Sequence, residues 1–427
     1  MTQNNLIKIL QTLTRKEMTR FRDFAQSPYH NKHGDTRRLV EYLSAIYPDF
    51  SPSKTRREAV FQKIFPGQRF QNRKLAPVFT YARRLLEQFL SVEQLAITDT
   101  AADLFLLRQL RARRLYNLYE KKMAGLAPKA VAATEKTENP AAVAFEIARE
   151  KDQYFNQLYR TEFNRNLEEK QYWLDRFYLS EKLKDACELK FRGQILQLSG
   201  DLELSEEVLQ LVGKHPEKFS DTPQIIVYFN IYKTLNANNL SQYFETMTLF
   251  KKHESGFSKP ELQNIYNYFQ NYCIRRINEG DERFLAELFK IYQSQLEQGL
   301  LLVEDYLPEW HYKNIVTTGL RLGENDWVRD FIESWKGRLN PVIVENAYSY
   351  NLASYYYATR QYGRVLDLLV RVEYTDIRYN LGAKSLLLKT YFDLDEEEAF
   401  YSLTEAFQKF LKRNRLISDF QKAGYYN

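Results

Sequence analysis

The nearest approach to a metal-ligating spacing in this chain is "YHNKH", which sets His30 and His33 three residues apart. Two such histidines ligate zinc only with one or two further ligands, and no cysteine lies near them in sequence. The stretch follows Pro28 in a turn, so a surface or packing role is expected for both rings. The acidic run "DLDEEE" (393–398) lacks the alternating ligands and central glycine of a calcium loop. Its carboxylates suit the start of a helix, where the backbone dipole favours negative charge. No strand leads into a glycine-rich phosphate loop, and neither a GxSxG elbow nor an HExxH pair is present. The residues point to no catalytic group, no metal and no cofactor, so a protein that is not an enzyme is expected.

Two patterns suit binding. The first is charge. Residues 1–100 carry 17 Lys and Arg against 9 Asp and Glu, whereas the rest of the chain is nearly balanced at 44 against 46. The excess gathers in "KTRRE", with Arg56 and Arg57, and in "NRKLAPVFTYARRL", with Arg73, Lys74, Arg83 and Arg84. Such a module can sit on phosphates, although Arg and Lys on helices are most often a solvated or ion-paired face. The second pattern is asparagine. Asn271 and Asn351 each precede a turn marker, Asp281 and Gln361, by ten residues. Asn230 and Asn314 precede theirs, Asn239 and Asp326, by nine and twelve, and Asn267 and Tyr350 flank the row. An amide that both donates and accepts suits a peptide backbone. The same spacing also arises where asparagine is simply frequent at a solvated helix position.

The elements that must carry these residues are helices. The chain has 427 residues, 44% hydrophobic and 27% charged, with only 15 glycines and 12 prolines. A chain of that size exceeds one growing core, and so few breakers favour helices over a turn-rich β fold. Aromatic residues, 31 Tyr and 28 Phe among them, supply a large packing surface. Cys187 and Cys273 lie far apart and are expected to be buried, reduced thiols. The opening "MTQNNLIKILQTLT" has no charged segment followed by an apolar one, and no apolar run approaches the ~20 residues of a membrane span. A cytoplasmic protein without a membrane span is expected.

Residues 1–97 read as a compact basic helical unit. "TRKE" is a capping box in which Thr14 caps and Glu17 reaches back, and Pro28 stops that helix at Ser27. "DTRRLVEYLSAIYPDF" sets Leu39, Tyr42, Leu43 and Ile46 on one face, with Asp35 or Thr36 as its expected cap. Val60, Phe61, Ile64 and Phe65 form a third stripe, and a long helix is expected from about Asn72 to Leu95. Residues 98–220 read as irregular antiparallel helices, beginning with one long amphipathic helix over "LFLLRQLRARRLYNLYEKKMAGL". A connector plus a short helix is expected at 127–140.

Residues 221–427 repeat one grammar: aromatic-rich helix, polar turn, apolar helix. "YNLASYYYATRQYGRVLDLL" shows it best. Leu352, Tyr355, Tyr356 and Thr359 share a face, the chain turns at "RQYG", and Val365, Leu368, Leu369 and Val372 form a second stripe. The turn markers Asn239, Asp281, Asp326, Gln361 and Asp395 are 42, 45, 35 and 34 residues apart. A helix pair of this length cannot bury both faces alone and must stack on a neighbour. The stretch resembles a tetratricopeptide repeat, with Leu352, Ala353 and Tyr356 in the family's first-helix places and Gln361-Tyr362 in its turn. Ser349 stands where that family has a bulky aromatic, Val365 where it has alanine, and Leu388 at the next small position. The departures imply an irregular superhelix. The whole chain, including "FRDFAQSPYHNK", also resembles a family of uncharacterised bacterial all-helical proteins, which implies the fold and no activity.

The expectation is therefore all-α: antiparallel helix pairs stacked as an irregular tetratricopeptide-like solenoid, preceded by the basic unit. Its function is expected to be that of a non-catalytic scaffold holding a protein or peptide segment in a concave groove, with Asn267, Asn271, Asn314, Tyr350 and Asn351 on the groove. The alternative is a nucleic-acid-associated regulator using Arg56, Arg57, Arg73, Lys74, Arg83 and Arg84. A last helix capped by Ser418 spans about two turns of "DFQKAGYYN" and is expected to be incomplete.

Overall fold

The computed structural model describes residues 4–97, 99–133, 139–158, 162–196, 200, 202–236, 240–369, 377–414, 422 and 425. The regular elements among them are helical, and the one extended contact is an isolated bridge between Val303 and Tyr306. The chain forms two compact units, residues 1–133 with 142–173, and residues 134–141 with 174–427.

The first unit opens with α1 (Asn5–Thr12), α2 (Arg15–Gln26), α3 (Gly34–Ile46), α4 (Pro52–Thr55), α5 (Arg57–Ile64) and α6 (Asn72–Ile97). The capping box forms as expected: the Thr14 N–H donates to Glu17 at 2.6 Å and the Glu17 N–H to the Thr14 hydroxyl at 3.2 Å. α2 ends at Ser27, which is extended ahead of Pro28. α3 departs from expectation. It starts at Gly34, with His33 in the cap position and no side-chain capping bond. The Asp35 carboxylate is taken by Arg38 at 2.5 Å, and Thr36 is buried. Asn31 organises the turn instead. Its Nδ2 donates to the Ala25 carbonyl and its Oδ1 accepts the His33 N–H, both at 2.9 Å. Helices α1, α2, α3 and α5 all pack on α6, whose Leu75, Val78, Ala82, Leu86 and Phe89 line the shared core.

The expected single helix after residue 104 is two helices, α7 (Asp99–Ala112) and α8 (Tyr116–Ala133), which pack on each other. Arg114 takes a left-handed conformation, φ 57°, and the Leu115 N–H closes the turn on the Leu110 carbonyl at 2.9 Å. A continuous helix would hold Leu107 well over a turn away from Tyr119 and Leu126, so they could not pack on one another. Folding back buries all three with Ile147 of α9 (Pro140–Gln157). The connector expected at 127–140 is helical to Ala133, and 134–138 lies outside the described residues.

The chain passes into the second unit within α10 (Arg165–Leu196) and continues through α11 (Ser205–Lys214) and a 3-10 turn at Pro216–Phe219. Five helix pairs follow: α12 (Pro223–Asn236) with α13 (Leu240–His253), α14 (Lys259–Asn278) with α15 (Arg283–Glu297), α16 (Glu309–Leu322) with α17 (Asn325–Trp335), α18 (Val344–Ala358) with α19 (Tyr362–Leu369), and α20 (Ile377–Asp393) with α21 (Glu397–Arg413). One core runs from Leu179 to Leu387. Asp281, Gln361 and Asp395 fall in turns as expected, and Asp326 falls one residue inside α17. Asn239, Val372 and Ser418 lie outside the described residues. First helices stack on first helices, α12 on α14, α16 on α18 and α18 on α20, while α15 packs on both α14 and α16. Buried polar groups tie the pairs. Thr234 and Thr246 share a hydroxyl bond of 2.9 Å between α12 and α13, and the Tyr312 hydroxyl donates to the Ile332 carbonyl at 2.9 Å between α16 and α17. Cys187 and Cys273 are buried and free, as expected.

Candidate functional site

Where α15 comes between α14 and α16, a cleft of about 230 Å³ opens on the second unit. Its apolar side is Ile274 and Ile277 of α14 with Leu285, Leu288 and Tyr292 of α15. Its polar side is Asn278 of α14 and Asn314, Thr317, Thr318 and Arg321 of α16. Helical spacing sets this lining. Asn314, Thr317 and Arg321 recur at three and seven residues on one face of α16. Burial pushes the Tyr292 phenol up to about 12, and a side-chain hydrogen bond with Asn314 pulls it back. Arg321 approaches Glu282 at 3.8 Å with both side chains largely exposed, a weak surface pair that leaves the guanidinium open to a ligand.

Of the asparagine row, Asn314 is exposed and lines this cleft. Asn267 and Asn271 are half-buried on the α14 stripe that continues to Ile274 and Asn278. The Asn271 Nδ2 donates to the Asn267 carbonyl at 2.8 Å. Asn230, half-buried on α12, bonds back to the Ile226 carbonyl at 2.7 Å in the same way. Tyr350 is half-buried, with the Lys313 ammonium of α16 5.2 Å from its ring centroid. Asn351 stands apart. It is 1% exposed, and its Nδ2 donates to the Ala347 carbonyl at 2.7 Å. A peptide backbone has no access to that amide. Asn278, Thr317 and Arg321 were missed by sequence reasoning, yet a signal was present: Asn278 follows Asn271, and Arg321 follows Asn314, by seven residues.

In the first unit a cleft of about 370 Å³ is lined by Arg57, Asn72, Thr80 and Arg83 together with Asn4 and Asn5. Arg57 donates to the Asn72 side chain, and Arg83 pairs with Glu87 at 2.6 Å, so each is partly satisfied internally. Lys74 reaches Gln68 at 3.1 Å. Arg56, Arg73 and Arg84 are exposed. Arg73 and Arg84, eleven residues apart, share a face of α6, while Arg56 sits between α4 and α5. The histidines are packing groups: His30 stacks on Phe24 at 3.8 Å and His33 on Tyr81 at 4.7 Å. Among the described residues no group of three or more His, Cys, Asp or Glu is placed to hold a metal ion, and no helix is long and apolar enough to cross a membrane.

Fold and cleft together define an all-α, solenoid-like protein of stacked helix pairs. No protein-family model matches the chain, and no curated protein or solved structure matches it either.

Proposed function

We propose that the chain is a non-catalytic, tetratricopeptide-like scaffold that holds a protein or peptide segment along the first helices of its pairs. The observation that carries this reading is the cleft between α14 and α16. It sets an apolar floor beside Asn278, Asn314, Thr317 and Arg321, which offers side-chain pockets and backbone partners to an extended segment. The buried free thiols support a reducing, cytoplasmic location. Peptides selected by display on the full chain test the reading. Thr317→Trp with Arg321→Glu, both at exposed positions, should weaken a selected peptide by about tenfold or more, ~1.4 kcal/mol, at unchanged melting temperature. Selected peptides that bind both forms equally overturn it.

A nucleic-acid role for the first unit is the second reading, favoured by the exposed Arg56, Arg73 and Arg84. It requires binding of a labelled single strand that falls steeply with salt and is weakened by Arg73→Glu with Arg84→Glu.

A further inference from the structure

A second cleft of the second unit, about 340 Å³, lies between α10 and α11. Leu179, Val208 and Phe219 form a floor that is 3, 5 and 7% exposed. Its walls are Tyr178, Leu204 and Leu211, and these are 38, 51 and 44% exposed. Glu207, Val208 and Leu211 recur at helical spacing, so one edge of α11 faces the opening, with Leu204 at the helix N-cap beside it. α11 also packs on α12 and on the 3-10 turn. Large apolar side chains scattered over a surface are ordinary, whereas three converging on a buried apolar floor mark a contact surface. Leu204 also holds φ 63°, ψ 11°, a left-handed conformation that leucine rarely adopts.

The two charged residues that line the cleft are both acidic. Asp175 on α10 and Glu207 on α11 are both exposed. Among the described residues neither carboxylate has an ion pair or a side-chain hydrogen bond. Lys182, one α10 turn beyond Tyr178, is a cation beside the cleft, but its ammonium does not pair with either carboxylate: it donates to the Glu203 carbonyl at 2.7 Å and lies 5.9 Å from the Tyr178 ring centroid.

We propose that this cleft is a docking groove for an amphipathic α-helical segment of a partner protein, with aliphatic or aromatic anchors between α10 and α11 and Lys or Arg flanks facing Asp175 and Glu207. Two helices that part over an apolar floor offer what the ridge of a third helix fills. Polar atoms stand at the rim and not on the floor, which suits a row of side chains and not a polar metabolite. Exposed carboxylates on both walls select a basic segment over an acidic one. The site shares no residue with the α14–α16 cleft, so its fate is separate from that of the scaffold reading.

The probes are two capped, fluorescein-labelled helical peptides. Both carry leucines at i, i+3, i+4 and i+7, with lysine at the remaining positions in one and glutamate in the other. Titration of the full chain, read by fluorescence anisotropy, should show the lysine peptide binding about tenfold or more tighter than the glutamate peptide. Leu211→Glu should reduce that binding about tenfold or more, and Asp175→Lys with Glu207→Lys should reverse the preference. All three side chains are exposed, and circular dichroism checks that each variant stays folded. Equal affinity for the two peptides overturns the proposal, as does a preference that survives the charge reversal. Sedimentation showing a dimer that Leu211→Glu dissolves would assign the groove to a second copy of the chain and likewise overturn it.

Discussion

Gly319 sets how closely α16 approaches its neighbours. A Cβ added there would lie 2.4 Å from Cγ2 of Val328 on α17 and 3.1 Å from the Phe289 ring on α15. Alanine is the better helix former by ~1 kcal/mol, so helix propensity alone makes Gly319→Ala stabilising. Packing opposes it. Val328 is fully buried and, being β-branched, stiff at χ1, so it cannot turn aside, and the ring stands on the other flank. Overpacking of this kind costs ~1–3 kcal/mol, and contact with two rigid groups puts Gly319 at the upper end. The expected net loss is ~1–2 kcal/mol. Gly363 in α19 is the control. Nothing lies within 4 Å of a Cβ built there, so Gly363→Ala should gain ~0.5–1 kcal/mol. Urea midpoints give the signs, and hydrogen exchange of the α15–α17 amides localises the loss. If the clash is the cause, Val328→Ala relieves it, and the double variant should exceed the sum of the singles by ~1 kcal/mol or more. A Gly319→Ala protein as stable as the parent refutes the reasoning.

In the first unit, Glu150 is 1% exposed and bonded to Arg111 at 2.6 Å, so Arg111→Met should leave a buried charge short of a partner and cost ~3 kcal/mol in urea denaturation. A loss under ~1 kcal/mol would show that water reaches the carboxylate. In the second unit, burial lowers His311 to about 4. The unfolded chain binds that proton near pH 6.5, so stability is full above that pH and falls by ~3 kcal/mol as pH drops towards 4. His311→Phe should flatten this part of the stability curve, and a parent protein already flat between these pH values argues against it.

Local chemistry with one dominant solution was legible in the sequence. Thr14 and Glu17 satisfy each other within one turn, Pro28 forbids α2 from continuing, and each short polar turn returns a helix on its predecessor. The misses share a cause, since each depended on contacts distant in sequence. Arg114 breaks the chain into α7 and α8 with no glycine to announce it, because burial of Leu107 against Tyr119 and Leu126 outweighs one strained residue. Position alone makes Asp35 or Thr36 the cap of α3, but Arg38 takes the Asp35 carboxylate, Thr36 is buried and Asn31 turns the chain.

The asparagine row shows how far register alone can carry a site. Asn271 and Asn351 stand at the same distance from their helix ends, seven residues before Asn278 and Ala358. They nevertheless differ in access, half-buried against 1% exposed. The difference lies in the neighbours. α18 is packed between α16 and α20, and the stack closes over Asn351. α14 has α12 beside it, but on its other side α15 comes between it and α16, so the stripe through Asn271, Ile274 and Asn278 stays open. The 45-residue interval between Asp281 and Asp326 already departs from the 35 and 34 that follow it. An insertion of that size changes how one pair meets the next. In a stack of otherwise similar pairs, the longest interval is therefore where a cleft should be sought, and the Asn314–Arg321 face of α16 borders it.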